Sequence, residues 1–180
     1  VYKRQVQAER IEELGRRLNI ELARRVNELQ RYRSEFFGKV REALGDARGV
    51  RVEGDRFVFQ SELLFASGSA ELGETGKAQL SRLAKTLKQL DARIPANLDW
   101  ILRIDGHTDR VPLSSTSVFA SNWELSTARA VSVVAHLAGE GIPPQRMAAA
   151  GFGEFRPLDS GSTPDANRKN RRIEIKLTTP

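Results

Sequence analysis

The sequence predicts a mixed α/β fold, an α+β sandwich in which helices cover one face of a mixed sheet, preceded by a long N-terminal helix. Three observations carry this. Residues 2–44 contain no proline and repeat apolar side chains at helical spacing. From Val50 the spacing switches to two, and such segments then alternate with two further helical ones.

The first segment places apolar residues at Ile11, Leu14, Leu18, Leu22, Val26, Leu29, Tyr32, Phe36, Val40 and Leu44. The average step of about 3.67 residues is nearer the ~3.6 of an undistorted helix than the ~3.5 of a left-handed coiled coil, so a strict two-stranded zipper is not the best description. Gly15 and Gly38 each weaken this helix by roughly 1 kcal/mol relative to alanine. The pattern changes at Gly45, which divides the chain into a helical stalk, residues 1–45, and a globular domain, residues 46–180.

Within the domain, Val50 and Val52, a Gly54-Asp55 turn, then Phe57 and Phe59 form a hairpin. Ser61 to Leu72 is expected to be a loop. A helix follows, with Leu80, Leu83, Leu87, Leu90 and Ile94 on one side and Pro95 as its stop. Trp100, Leu102 and Ile104 alternate as a strand, and Gly106 to Ser121 is the next loop. Ser121 and Glu124 then make a capping box for a helix that Gly141 and Pro143-Pro144 end. Met147 to Gly151 and Arg172 to Thr178 supply the last strands, separated by a polar loop over Asp159 to Asn167.

Composition narrows function by exclusion. At 39% hydrophobic and 29% charged, the chain is neither disordered nor membrane-spanning over this length. It has no cysteine, which excludes disulfides, thiolate catalysis and cysteine-ligated metal without identifying a compartment. The chain starts at Val1 without a basic-then-apolar leader, and so is expected to be a processed or truncated product. A net charge of +6 invites a polyanion as partner. Yet residues 1–45 hold 11 Lys and Arg against 7 Asp and Glu, and residues 46–180 hold 18 against 16, so most of the surplus lies on the stalk.

The near-neutral domain, with few aromatics and no base-stacking pair on a strand, does not fit a nucleic-acid partner. His107 and His136 lie too far apart for a zinc-protease helix; His107 with Asp109 alone is a poor metal site. No G-x-S-x-G elbow, phosphate-cradling glycine loop or paired acid and base is present, so neither an enzyme nor a cofactor is expected.

One constellation stands out. Asp109 follows Gly106-His107-Thr108 at the end of a strand, and Arg129 lies 20 residues on, in the first turns of the capped helix. The two are either an ordinary ion pair bracing loop to helix, or a pair of poles for a zwitterionic amino acid, Asp109 on its ammonium and Arg129 on its carboxylate. The helix start at Asn122 adds backbone donors for the anionic end.

The segments Ile104-Asp105-Gly106-His107-Thr108-Asp109, Asn122-Trp123-Glu124-Leu125-Ser126-Thr127-Ala128-Arg129-Ala130, Gly151-Phe152-Gly153-Glu154 with Pro157, and Asn170-Arg171-Arg172-Ile173-Glu174 occur in that order. Together they resemble the OmpA-like peptidoglycan-binding domain family, from about Val50 to Leu177. The Phe65-Ala66-Ser67-Gly68-Ser69-Ala70-Glu71-Leu72 and Ser121-Asn122-Trp123-Glu124-Leu125-Ser126 stretches look most like the branch in the wall-anchoring subunit of ion-driven flagellar stators.

The resemblance implies a non-catalytic module that holds peptidoglycan by the diaminopimelate of its stem peptide. Carried over by position, it implies that Asp109 and Arg129 bind the zwitterionic end, that Thr108, Asn122 and Leu125 shape the pocket, and that Phe65 walls it. Arg171 matches the first arginine of the family's Asn-Arg-Arg stretch, as a ligand contact or as a brace, and His107 is expected to be a neutral, hydrogen-bonded loop residue. The same resemblance implies a Gram-negative periplasmic location, a tether to the inner membrane upstream of residue 1, and an ion-channel-type partner there.

The sequence departs from the family at Ala66, where many members carry aspartate, and in the longer serine-rich loop after Asp109. A rival expectation makes the stalk an assembly device, through a homodimer or docking to a motor or transport complex, with weak wall binding.

Overall fold

The computed structural model describes residues 2–44, 49–96 and 98–179. The predicted boundary at residues 45 and 46 lies outside them. Helix α1 spans Tyr2–Leu44, followed by β1 (Val50–Glu53) and β2 (Arg56–Gln60), the one-turn α2 (Ser61–Leu64) and α3 (Glu74–Asp91). Then come β3 (Ile101–His107), α4 (Asn122–Gly139), β4 (Met147–Gly151), α5 (Pro164–Asn170) and β5 (Arg172–Thr178). The five strands form one sheet in the order β1-β2-β5-β3-β4. Only β3 and β4 run parallel, joined through α4, and every other neighbouring pair is antiparallel.

Period-two sequence patterning separates the sheet's faces. Phe57, Phe59, Leu102, Ile104, Ile173, Ile175 and Leu177 share one face and are buried with Leu80, Leu83 and Leu87 of α3 and Val133 and Leu137 of α4. The alternate positions carry charge. There Glu174 accepts from Arg172 Nε at 2.7 Å and Arg56 Nη1 at 2.5 Å, and Asp105 accepts from Arg103 Nε at 2.7 Å. Each carboxylate is buried yet paired, as a carboxylate removed from water must be. The helices lie on one face, as expected.

Helix α1 divides into two stretches. Phe36 and Val40 are fully buried in the domain core, and Phe36 and Phe37 pack on Phe57 with ring centroids 5.6 and 4.8 Å away. Arg33 Nη2 donates to Asp55 at 3.1 Å, and Glu35 pairs with Arg93. Upstream, Ile11, Leu14, Leu18, Leu22 and Val26 are exposed along the same stripe. The periodicity is unbroken, but only its last third meets the domain.

Two elements differ from the sequence expectation. The loop predicted from Ser61 opens with the one-turn helix α2, and the polar loop over 159–167 runs into α5, whose Thr163 hydroxyl accepts from Ala166 N with Pro164 in the first turn. Strand β3 also runs past Gly106, because β5 pairs with it as far as Arg172 opposite His107.

Candidate functional site

The site is set by two glycines without room for a side chain. Gly106 and Gly151 face each other on β3 and β4, and a Cβ would lie 2.1 Å from Ser126 O at the first and 2.1 Å from Thr127 Oγ1 at the second. Helix α4 therefore presses its first turns onto the ends of these strands. Ser121 Oγ accepts from Glu124 N at 3.2 Å, and Glu124 reaches back to Ala120 N at 2.9 Å, which fixes where the helix begins.

Between this helix start, α2 and the loop after β3 is a cavity of about 580 Å³. All seven residues proposed from sequence line it: Phe65, Thr108, Asp109, Asn122, Leu125, Arg129 and Arg171. Sequence reasoning missed Ser61 and Glu62 from α2, and Val111, Pro112, Leu113 and Ser114 from the serine-rich loop. A one-turn helix has no periodic signal, and loop composition does not say which way a loop folds. The insertion after Asp109 is thus a wall of the cavity.

The charges pair differently from the simple Asp–Arg brace. Arg171 Nη1 donates to Asp109 Oδ2 at 2.6 Å, and its Nε donates to Glu62 Oε1 at 2.7 Å. Burial works against the Arg171 charge, but the hydrogen bonds to Asp109 and Glu62 outweigh it and hold its pKa above the usual value. Asp109 Oδ1 accepts from Val111 N at 3.0 Å.

Arg129 has no carboxylate within salt-bridge distance among the described residues. Its Nε donates to Ser69 O at 2.8 Å, its Nη2 donates to Ala66 O at 3.4 Å, and the guanidinium lies 5.1 Å above the Phe65 ring. Burial lowers its pKa to about 10, with Glu62 opposing this and Arg171 adding to it.

Three other polar groups complete the lining. Thr108 is held by its N–H on Gly153 O at 2.8 Å, while its buried hydroxyl has no hydrogen-bond partner among the described residues. Asn122 Nδ2 donates to Glu154 Oε2 at 2.8 Å and lies near Asp109 O and Val111 O. Ala66 contributes its carbonyl as the acceptor for Arg129 Nη2, and Ser67 lines the cavity.

Glu62 and Asp109 balance Arg129 and Arg171, so the cavity's charged side chains sum to zero; Arg171 pairs with both carboxylates and Arg129 with neither. Such a site suits a ligand carrying both charges and gives no advantage to a polyanion.

His107 is not the hydrogen-bonded loop residue expected. It ends β3 on the charged face, neither ring nitrogen has a hydrogen-bond partner among the described residues, and the ring stacks on Phe152 at 5.1 Å. Burial, with Arg172 adding to it, lowers its pKa to about 4, so it is neutral near pH 7. Among the described residues no three His, Cys, Asp or Glu side chains converge as a metal site would need.

Similarity to known proteins follows the same outline. The OmpA family model matches residues 64–171. Motility protein B of Bacillus subtilis is 32% identical over 124 residues, 68% of this chain and 44% of that protein. The chain spans about half the length of the curated relatives it matches. Among solved structures, a MotB-like protein from Desulfovibrio vulgaris has a TM-score of 0.70 at 29% identity, covering 87% of this chain and 99% of that one. The cell wall anchor of the T6SS from Pseudomonas aeruginosa gives 0.64 at 29%, covering 78% and 97%. The periplasmic domain of Helicobacter pylori MotB gives 0.61 at 25%, covering 72% and 80%. With more than half its length matched by the family model, and the fold shared with MotB-like domains, this chain belongs to the OmpA family.

Proposed function

We propose that the chain binds cell-wall peptidoglycan non-covalently, through the diaminopimelate of its stem peptide, and so anchors an inner-membrane complex to the wall. Domains of this family are structural anchors rather than enzymes. The reading rests on one observation. Arg129 is buried without a carboxylate partner among the described residues, in the same cavity as Asp109. A ligand carboxylate would supply the missing countercharge, and its ammonium would take Asp109 in exchange for Arg171. Likeness to the periplasmic domain of H. pylori MotB supports a periplasmic location, and the proposal adds to it a tether to the inner membrane on the N-terminal side. No helix of the described residues is long and apolar enough to cross a membrane.

Co-sedimentation with purified diaminopimelate-type sacculi tests this. The parent chain should pellet, and Asp109→Ala and Arg129→Ala should each remain largely in the supernatant. A parent that stays soluble, or variants that pellet as well as it does, would refute the proposal.

A second reading concerns the stalk. Ile11, Leu14, Leu18, Leu22 and Val26 leave an apolar stripe in water along the undocked part of α1, which favours pairing with a second copy. Removing α1 entirely would strip Phe36 from the core, so the better test replaces Leu14, Leu18 and Leu22 by glutamine. Sedimentation equilibrium should then show a dimer becoming a monomer; a parent that is already monomeric at high micromolar concentration would exclude pairing.

A further inference from the structure

Beside the cavity lie two large aromatic rings that the core does not use. Trp123 and Phe155 stack with centroids 5.1 Å apart and planes at 25°, yet they are 49% and 58% exposed. Neither belongs to the hydrophobic cluster under the sheet. Leaving both rings half in water forgoes apolar burial.

The pair is held in place from both sides. Trp123 is the second residue of α4. Phe155 is brought to it by the turn after β4, where Gly153 adopts φ +55° and donates its N–H to Ser126 Oγ at 3.0 Å. A Cβ on Gly153 would lie 3.5 Å from both Trp123 N and the Phe155 ring. The left-handed conformation at this glycine thus draws loop and helix together.

The position of the rings points to the ligand class. Trp123 directly follows Asn122, Phe155 directly follows Glu154, and Asn122 Nδ2 donates to Glu154 Oε2 at 2.8 Å on the cavity rim. Stacked on each other, the rings each keep an outer apolar face in water, next along the chain to an amide and a carboxylate that are bonded to one another. A pyranose needs both: its C–H face rests on aromatic carbon, and its hydroxyl or acetamido groups need partners at the edge.

We infer that Trp123 and Phe155 form a saccharide subsite that takes an N-acetylhexosamine of the glycan strand whose stem peptide occupies the cavity. This rests on the wall-binding reading above. The two residues and lactyl ether between the held amino acid and the sugar extend by roughly 10 Å, so a sugar can reach rings that begin one residue beyond the rim.

The test uses the full chain and two probes, a diaminopimelate-containing tripeptide and the same tripeptide carrying its N-acetylglucosaminyl-N-acetylmuramyl disaccharide. The disaccharide should tighten binding by about five- to tenfold in titration calorimetry. It should also shield tryptophan from acrylamide where the tripeptide alone does not. The fluorescence is site-specific, because the other tryptophan, Trp100, is 2% exposed. Phe155→Ser and Trp123→Leu should each erase the sugar's increment and leave tripeptide affinity within about twofold. Equal binding of the two probes to the parent, or an increment that survives in both variants, would overturn the subsite while leaving wall binding intact. Failure of both probes to bind would overturn the wall-binding reading and the subsite with it.

Discussion

Replacing Arg129 by methionine should stabilise the domain slightly while abolishing its affinity for sacculi. The guanidinium is 4% exposed and has no carboxylate partner among the described residues. Displacing its pKa from the ordinary arginine value to about 10 is worth about 3 kcal/mol against folding at neutral pH. The sign follows from linkage. The unfolded chain holds this proton more tightly, so the penalty is full below pH 10 and lifts only as the pH rises further. Methionine fills similar space without the charge but forfeits the donations to Ser69 O and Ala66 O and the contact with Phe65. Those losses together offset about 2 kcal/mol. The net expectation is a gain of about 1 kcal/mol, or roughly 2–4 °C in Tm for a chain of this size. Differential scanning calorimetry and sacculus co-sedimentation on one preparation check both halves. A variant less stable than the parent by more than about 1 kcal/mol would show that Arg129 braces the fold, and the reasoning from its unpaired charge would be wrong.

Phe36→Ala should cost about 3–5 kcal/mol in urea unfolding, whereas Leu18→Ala on the same stripe, compared at a protein concentration low enough to keep the stalk unpaired, should change it by no more than about 0.5 kcal/mol. Gly106→Ala drives a Cβ into Ser126 O and should destabilise by about 3 kcal/mol or more, read as loss of the cooperative transition followed by circular dichroism. His107 is neutral in the fold down to about pH 4, whereas its ordinary pKa is 6.5. Stability should therefore fall as pH drops through that window, and His107→Gln should remove up to about 3 kcal/mol of the decline when urea midpoints at pH 7 and pH 4 are compared.

The sequence pattern located the core strands because Ile173, Ile175 and Leu177 repeat at two and meet helices that repeat near 3.6. It could not divide α1, since Leu14 and Phe36 occupy equivalent places on one stripe and only tertiary contact distinguishes them. The cavity's residues were legible as motifs, but their pairing was not. Asp109 and Arg129 are 20 residues apart and at one end of the sheet, yet Asp109 takes its ion pair from Arg171, which arrives from the junction of α5 and β5. Glu62 had no signal at all, since α2 is a single turn. By contrast α5 carried a legible start in Thr163-Pro164-Asp165, a capping hydroxyl, a first-turn proline and an acid, which the polar character of the stretch obscured.

The docking of α1 also has a mechanical meaning. Its 43 residues make a rod about 65 Å long, at ~1.5 Å per residue, and only the last third is seated. A load applied near Tyr2 reaches the domain through the Phe36 and Phe37 contacts on Phe57 and the Arg33–Asp55 pair. That joint is in series with whatever the cavity grips. The weaker of the two sets the breaking force, and the rod's length fixes how far from its anchor point the pull can originate.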